Sequence, residues 1–113
     1  MSETGIIAKG TVFDTSVATA TNVFASDISM SNGRSAIRVT VSVDTATKLK
    51  PRLSDGATII PMILNNDTDL TADCIYTFVF GMDSSLTLNF RHDDAGSVKF
   101  YMLLIDEILG GVI

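Results

Sequence analysis

The sequence predicts an all-β chain that folds as a single antiparallel β-sandwich of about eight strands. Three observations support this prediction: short segments rich in β-branched and aromatic residues recur at close spacing, turn-forming residues separate them, and no segment shows a helical period. A jelly roll is one arrangement that eight such strands adopt. At 113 residues, the chain is expected to form one domain over residues 1–113.

The N-terminal segment carries the weakest strand signals. Residues 6–13 can form a strand that Gly10 weakens, and residues 14–21 are small side chains typical of a loop or an extended arm. We therefore expect a flexible N-terminal arm over about residues 1–20. A second strand, with a bend, is expected within residues 22–30.

The clearest strand signal follows the Asn32-Gly33 pair, which is typical of a tight hairpin turn. Over residues 37–44, Ile and Val side chains alternate strictly with polar ones. One face of this segment is wholly β-branched and the other wholly polar. The pattern predicts a half-buried strand of an antiparallel sheet.

Two proline-containing segments come next, and both are expected at a sheet edge or a bulge. Residues 48–53 alternate around Pro51, and residues 57–64 are interrupted by Pro61. Three cations lie on one side of the first segment: Lys48, Lys50 and Arg52. Cations along an exposed edge discourage unwanted strand pairing, and we favour this role over ligand binding.

The C-terminal third predicts three strands joined by two short polar turns, and it holds six of the eight Phe and Tyr residues. The last strand, residues 98–108, is apolar on both faces between Tyr101 and Ile105. Such a strand is covered on both faces, here by the domain core and by another chain. The short apolar tail, residues 109–113, is expected to dock on its own domain or on a neighbour. The predicted interface residues are Tyr101, Leu103, Ile105, Leu109, Val112 and Ile113.

Charge and hydropathy exclude two classes of partner. The chain carries 8 basic and 13 acidic residues, a net charge of −5. Nucleic-acid binding needs clustered cations that displace counterions from phosphates, so nucleic acid is not expected as the main partner. No membrane partner is expected either, because no run approaches the roughly 18 apolar residues of a membrane span. No signal peptide is recognisable at the N-terminus.

The sequence offers no catalytic constellation, so we expect no enzyme, no catalytic residue and no cofactor. His92 stands with two aspartates in a turn, where a solvated role is favoured over catalysis. No Gly-x-Ser-x-Gly nucleophile elbow is present. The single cysteine, Cys74, is expected to be a buried apolar residue. The polar segment Asn65 to Asp69 could supply oxygen ligands for calcium, but it lacks the order of an EF-hand loop, so no metal site is predicted.

Three segments of the C-terminal half carry a resemblance to a known type of protein. They are Tyr76-Thr-Phe-Val-Phe80, Leu88-Asn-Phe-Arg91 and the strand from Val98 through Leu104-Ile-Asp-Glu107. The pattern, over about residues 34–108, resembles small all-β structural proteins in virions of tailed phages and related viruses, particularly capsid decoration (cement) proteins.

The resemblance implies a non-enzymatic homo-oligomer, often a trimer, that is made in the host cytoplasm and sits on the capsid surface of the virion. There it would contact the viral major capsid protein through arms and stabilise the capsid lattice. No functional residue is carried over. The alternative left open by the residues is a ligand-binding β-sandwich module that takes carbohydrate or calcium.

Overall fold

The computed structural model describes residues 5–31 and 34–109, and it confirms the all-β sandwich. A single 3₁₀ turn, Asn65–Asp67, lies among the described strands. The strands are β1 (Gly5–Val17), β2 (Ile28–Ser29), β3 (Arg34–Val43), β4 (Leu49–Ser54), β5 (Ile59–Pro61), β6 (Tyr76–Asp83), β7 (Thr87–His92) and β8 (Val98–Leu109).

The strand order is that of a jelly roll. One sheet has the order β1-β8-β3-β6 and is called the front sheet below; the other, the back sheet, has the order β2-β7-β4-β5. Four antiparallel pairs, β1–β8, β2–β7, β3–β6 and β4–β5, connect the two halves of the chain. The chain is therefore folded like one long hairpin that has been wound into two sheets, as in jelly rolls.

The core lies between the two sheets, and the alternating Ile and Val side chains of β3 form much of its front half. The Ile and Val side chains of β3 point inward and are fully buried, as the sequence predicts. From the back sheet, Leu88 and Phe90 of β7 meet them, and the Phe90 ring contacts Phe24 edge-on at 6.2 Å between centroids. Each such buried side chain contributes roughly 1.5–3 kcal/mol.

The expected N-terminal arm is wrong from residue 5 to residue 17, because these residues form β1. They pair with β8 along the whole strand, from Gly5 opposite Leu109 to Val17 opposite Val98. Gly10 does not merely weaken this strand. A Cβ at that position would lie 2.8 Å from Cε1 of Phe24, so glycine allows the Phe24 ring to pack against the β1 backbone. Residues 1–4 lie outside the described part.

The strand expected within residues 22–30 shrinks to the two residues of β2. The buried Asn89 side chain explains why. Its Oδ1 accepts a hydrogen bond from the Phe24 amide at 3.1 Å, and its Nδ2 donates to the Phe24 carbonyl at 2.9 Å. These bonds satisfy the backbone of the segment before β2 without a ladder, as buried backbone groups require.

The edge position expected for β4 is wrong, because β4 lies between β7 and β5. The Pro51 carbonyl accepts a hydrogen bond from the Met62 amide at 3.1 Å, so its backbone nitrogen faces β5. The pairing of β4 with β5 covers only three residues and begins at Arg52. The N–H that Pro51 lacks therefore falls just beyond the end of this short ladder. Pro61 lies in β5, which is an edge strand as predicted.

Two further predictions fall on residues that are not described. The hairpin turn at Asn32-Gly33 is one, and the apolar tail beyond Leu109 is the other. Within the described ranges, no helix is long and apolar enough to cross a membrane.

Candidate functional site

The outward side of the front sheet carries exposed apolar side chains among threonines and one ion pair. Cross-strand register places Phe13 opposite Met102 and Ile6 opposite Ile108, while Val79 flanks the centre on β6. Phe13, Ile6 and Val79 are 57%, 55% and 62% exposed. We call this surface the front face and define it by Ile6, Phe13, Val79, Met102, Leu104 and Ile108.

The front face contains one ion pair at its centre. Arg38 of β3 lies opposite Asp106 of β8, and its Nη2 and Nε donate to Asp106 Oδ2 at 3.0 and 3.3 Å. Because the two charges satisfy each other, neither needs a charged partner from outside the chain. The two side chains are 37% and 16% exposed, so solvent still screens the pair, and it contributes about 1 kcal/mol.

The predicted interface residues are only partly brought to this surface. Leu103 and Ile105 are fully buried in the chain's own core, so the prediction that they contact another chain is wrong. A bulge at Tyr101, where β8 shifts register against β3, reverses which side chains point inward. The Leu109 side chain, Val112 and Ile113 lie outside the described part.

Tyr101 points outward at this bulge and is anchored there. Its hydroxyl donates to Asp73 Oδ1 at 2.8 Å, and Lys99 Nζ lies 5.3 Å from the ring centroid. The hydrogen bond to the Asp73 carboxylate raises the pKa of the Tyr101 phenol above its ordinary value of 10.0, with smaller contributions from desolvation and the Asp73 charge.

Replacing Asp73 with Asn should lower the pKa of Tyr101. The folded state favours the neutral phenol, so its stabilising effect is present below pH 10 and is lost as pH rises through the raised pKa. Phenolate absorbance in a Tyr76→Phe background isolates this group. Asp69→Asn is the control, because no contact with Tyr101 involves that carboxylate. An unchanged titration midpoint in Asp73→Asn would contradict the hydrogen bond.

The front-face residues were not among the predicted interface residues, because only β8 is apolar on both faces over consecutive residues. A usable signal was present in the alternation itself. Val79 stands among Ile75 and Thr77 on the side of β6 opposite the aromatic residues, and Phe13 stands out of phase with the partly buried Val12. An apolar residue in the polar phase of a strand was the sign of a second covered face.

His92 is not the solvated turn residue that the sequence suggested. It is only 2% exposed, and it ends β7 beneath the segment that follows β1. Its Nδ1 accepts from the Asp94 amide at 3.2 Å, so its Nε2 carries the proton and donates to the Val17 carbonyl at 2.6 Å. Both ring nitrogens are engaged in holding the fold together.

Cys74 also departs from expectation, because it is exposed rather than buried. It lies in the connection before β6, not within a core strand.

The candidate calcium segment, Asn65 to Asp69, faces cations. Asp67 Oδ1 lies 3.8 Å from Lys48 Nζ and 3.7 Å from Lys50 Nζ, while Asn65 Nδ2 donates to the Thr68 hydroxyl at 3.1 Å. Two lysines beside this carboxylate oppose a divalent cation there. Among residues 5–31 and 34–109, no three His, Cys, Asp or Glu side chains converge as metal ligands.

The three cations in and just before β4 do not lie along a sheet edge, since β4 is an interior strand. Lys48 and Lys50 pair with Asp67, and Lys50 also approaches Asp93 at 4.0 Å. Arg52 stays outside this network.

Comparison of the chain with protein-family models, with curated proteins and with solved structures returns no match in any of the three. The jelly-roll assignment therefore depends on strand order and register alone.

Proposed function

We propose that this chain is a non-enzymatic structural protein of a virion, of the capsid decoration (cement) type, which assembles through the front face. The front face is the observation that carries the proposal. Soluble monomers rarely expose a contiguous apolar patch larger than a few hundred Å². Ile6, Phe13 and Val79 are each more than half exposed on the two edge strands of this sheet, and we interpret the surface that they share with Met102, Leu104 and Ile108 as one that another subunit covers.

The size of the front face is consistent with a small interface. Four strands lie about 4.8 Å apart, and the rows from Ile6 to Phe13 span about 23 Å at roughly 3.3 Å per residue. The face therefore measures about 450 Å² in projection. This area is about half of the roughly 800 Å² that one partner buries in a standard interface, so it limits each protomer to a small contact. The half-buried Arg38–Asp106 pair lies within this area and needs no new charge partner.

The virion role rests on the resemblance described above and on the fold. Jelly rolls are common in viral capsid domains, but they also form lectins and cupins, so the fold supports the role only by analogy. Under the proposal the chain forms a homo-oligomer, with a trimer as the expected state. It sits on the capsid surface, in contact with the viral major capsid protein, after synthesis in the host cytoplasm.

Charging the front face should dissociate the oligomer. We expect the wild-type protein to be a trimer by light scattering at micromolar concentration and the Phe13→Lys/Val79→Lys variant to be a monomer. Two buried lysines without partners cost several kcal/mol, enough to abolish an interface of this size. Circular dichroism should stay unchanged, since both positions are exposed in the folded chain.

Ile63→Lys is the matched control, because Ile63 is 70% exposed and lies between β5 and the 3₁₀ turn, away from the front sheet. It should leave the trimer intact. A monomeric wild type would reject self-assembly through this face. Negative-stain micrographs separate two structural roles: discrete oligomers fit a decoration protein, whereas closed shells formed by the chain alone would contradict that type.

A further inference from the structure

The outward side of the back sheet contains a small polar cavity between two arginines. Arg52 of β4 and Arg91 of β7 line it, together with Asn22, Asp27 and Asn89. The cavity has a volume of about 100 Å³. It lies on the sheet opposite the front face, so nothing in the proposed assembly accounts for it.

The cations around this cavity are incompletely neutralised. Register places Lys50 directly opposite Arg91, and Arg52 is the next outward residue along β4. Lys50 has carboxylate partners in Asp67 and Asp93, at 3.7 and 4.0 Å. Like charges side by side on neighbouring strands are destabilising, so such a cluster needs anions to balance it.

Among the described residues, neither Arg52 nor Arg91 forms an ion pair with a carboxylate, as Lys50 does. Arg91 Nε donates to the neutral Asn22 Oδ1 at 2.8 Å, which leaves its charge uncompensated. The Arg52 guanidinium, unlike the Arg52 backbone, makes no hydrogen bond or ion pair with any residue in the described ranges. A guanidinium presents a planar fork of donors that matches an oxyanion. Two such forks beside one cavity form a site for an anionic group.

Asp27 determines which anion fits. Its carboxylate also lines the cavity, where Oδ1 accepts a hydrogen bond from Asn89 Nδ2 at 2.8 Å. With two arginines and one aspartate, the lining has a net charge of +1. A monoanion brings this charge to zero, whereas a phosphate dianion would face the Asp27 carboxylate.

Volume restricts the ligand further. A cavity of about 100 Å³ has room for about three waters at roughly 30 Å³ each. It accepts a carboxylate and a carbon or two, but not the ring systems that occupy pockets of about 300–1,000 Å³. A more open groove of about 520 Å³ shares Arg52, Arg91 and Ile59 with the cavity and is also lined by Pro51 and Pro61. The remainder of a ligand can lie there on apolar surface.

We propose that this cavity binds a carboxylate carried on a short aliphatic chain, with Arg52 and Arg91 as its two cationic partners. The carboxylate comes either from a small organic acid or from a glutamate side chain of another protein. Both sources share the same recognition chemistry: a bidentate oxyanion between two guanidinium groups and methylene groups over Ile59.

Calorimetric titration at constant ionic strength tests the site. The probes are sodium glutarate, a short peptide with one central glutamate, and inorganic phosphate. We expect saturable binding of glutarate or of the peptide, with a dissociation constant of about 1 mM or below, and weaker binding of phosphate. Glutarate binding identifies a small acid as sufficient. Binding of the peptide alone identifies a protein side chain as the source.

Arg52→Gln and Arg91→Gln should each weaken binding at least about tenfold, because each removes a charge-assisted contact. Lys48→Gln is the matched control: it removes a cation that immediately precedes β4 and lies outside the cavity lining, and it should leave binding within about twofold. Equal losses in Arg52→Gln and Lys48→Gln would overturn the site in favour of general charge attraction. Tighter binding of phosphate than of glutarate, or no saturable binding of either carboxylate, would also overturn it.

Because the Phe13→Lys/Val79→Lys variant changes the other sheet, it should retain carboxylate binding. Failure of the assembly proposal and failure of this one are therefore observed separately.

Discussion

Replacing Phe90 with Ala should lower the free energy of unfolding by about 4 kcal/mol. Phe90 is fully buried at the centre of β7, where its ring meets Phe24 edge-on and closes the core between the two sheets. The substitution removes most of an aromatic side chain and leaves a cavity that the β-sheet backbone cannot collapse to fill. Urea unfolding followed by circular dichroism measures the change.

Phe13→Ala is the matched control, since it is the same substitution on the outward side of β1. Phe13 is more than half exposed, so the chain itself should lose less than about 1 kcal/mol. The comparison should be made at two protein concentrations, because loss of assembly adds a concentration-dependent term. Equal losses in the two variants at low concentration would contradict the assignment of Phe90 to the core and Phe13 to the surface.

Replacing Glu107 with Ala should cost about 3 kcal/mol, the second-largest effect we expect. Glu107 of β8 is fully buried. Both of its carboxylate oxygens accept from the Ser31 amide at 3.1 Å, and Lys9 Nζ lies 3.7 Å from Oε1. Without the carboxylate, the Ser31 amide loses its acceptor and Lys9 loses its counter-ion next to the core.

Asp106→Ala is the control one residue away. Asp106 also forms an ion pair, with Arg38, but on the partly exposed outward side of the same strand, where solvent screens the charges, and its loss should cost about 1 kcal/mol. A double replacement, Lys9→Met with Glu107→Leu, should recover much of the loss, because apolar pairs can substitute for buried ion pairs. A Glu107→Ala variant as stable as wild type would show that the carboxylate is dispensable.

Local sequence patterns predicted the strands whose own alternation of apolar and polar residues marks the buried face. The β3 alternation appears in the structure as predicted, because a strand with one buried face encodes that face at every second residue. The edge position of Pro61 was also predictable, since a residue without an N–H cannot occupy a full ladder on both sides.

Long-range pairing decided the elements that were predicted wrongly. The small residues of the first segment form β1 only because β8 supplies a continuous hydrogen-bonding partner about ninety positions away. The segment before β2 loses its ladder to one buried side chain, Asn89. Pro51 is tolerated in an interior strand because β5 is too short to require its missing donor. None of these partners is visible in the local sequence.

The two candidate surfaces also depend on long-range strand pairing rather than on local sequence patterns. The bulge at Tyr101 reverses the phase of β8, so Leu103 and Ile105, which looked like interface residues, point into the core, and Met102 and Leu104 take the outward positions. A bulge inserts one residue without a sequence mark that distinguishes it from regular strand. Likewise, Arg52 and Arg91 are 39 positions apart in sequence, and only the pairing of β4 with β7 brings them together.

The sequence by itself determined the fold class of this protein, because turn residues and period-2 alternation are short-range properties that hold in any sheet. Only the tertiary structure decided the order of the strands, the burial of His92 and Glu107, and the composition of both candidate surfaces. The physical reason is that a strand is incomplete alone: its hydrogen bonds and one of its faces are satisfied by distant residues. Which residues remain on the surface is therefore known only once every strand has its partner.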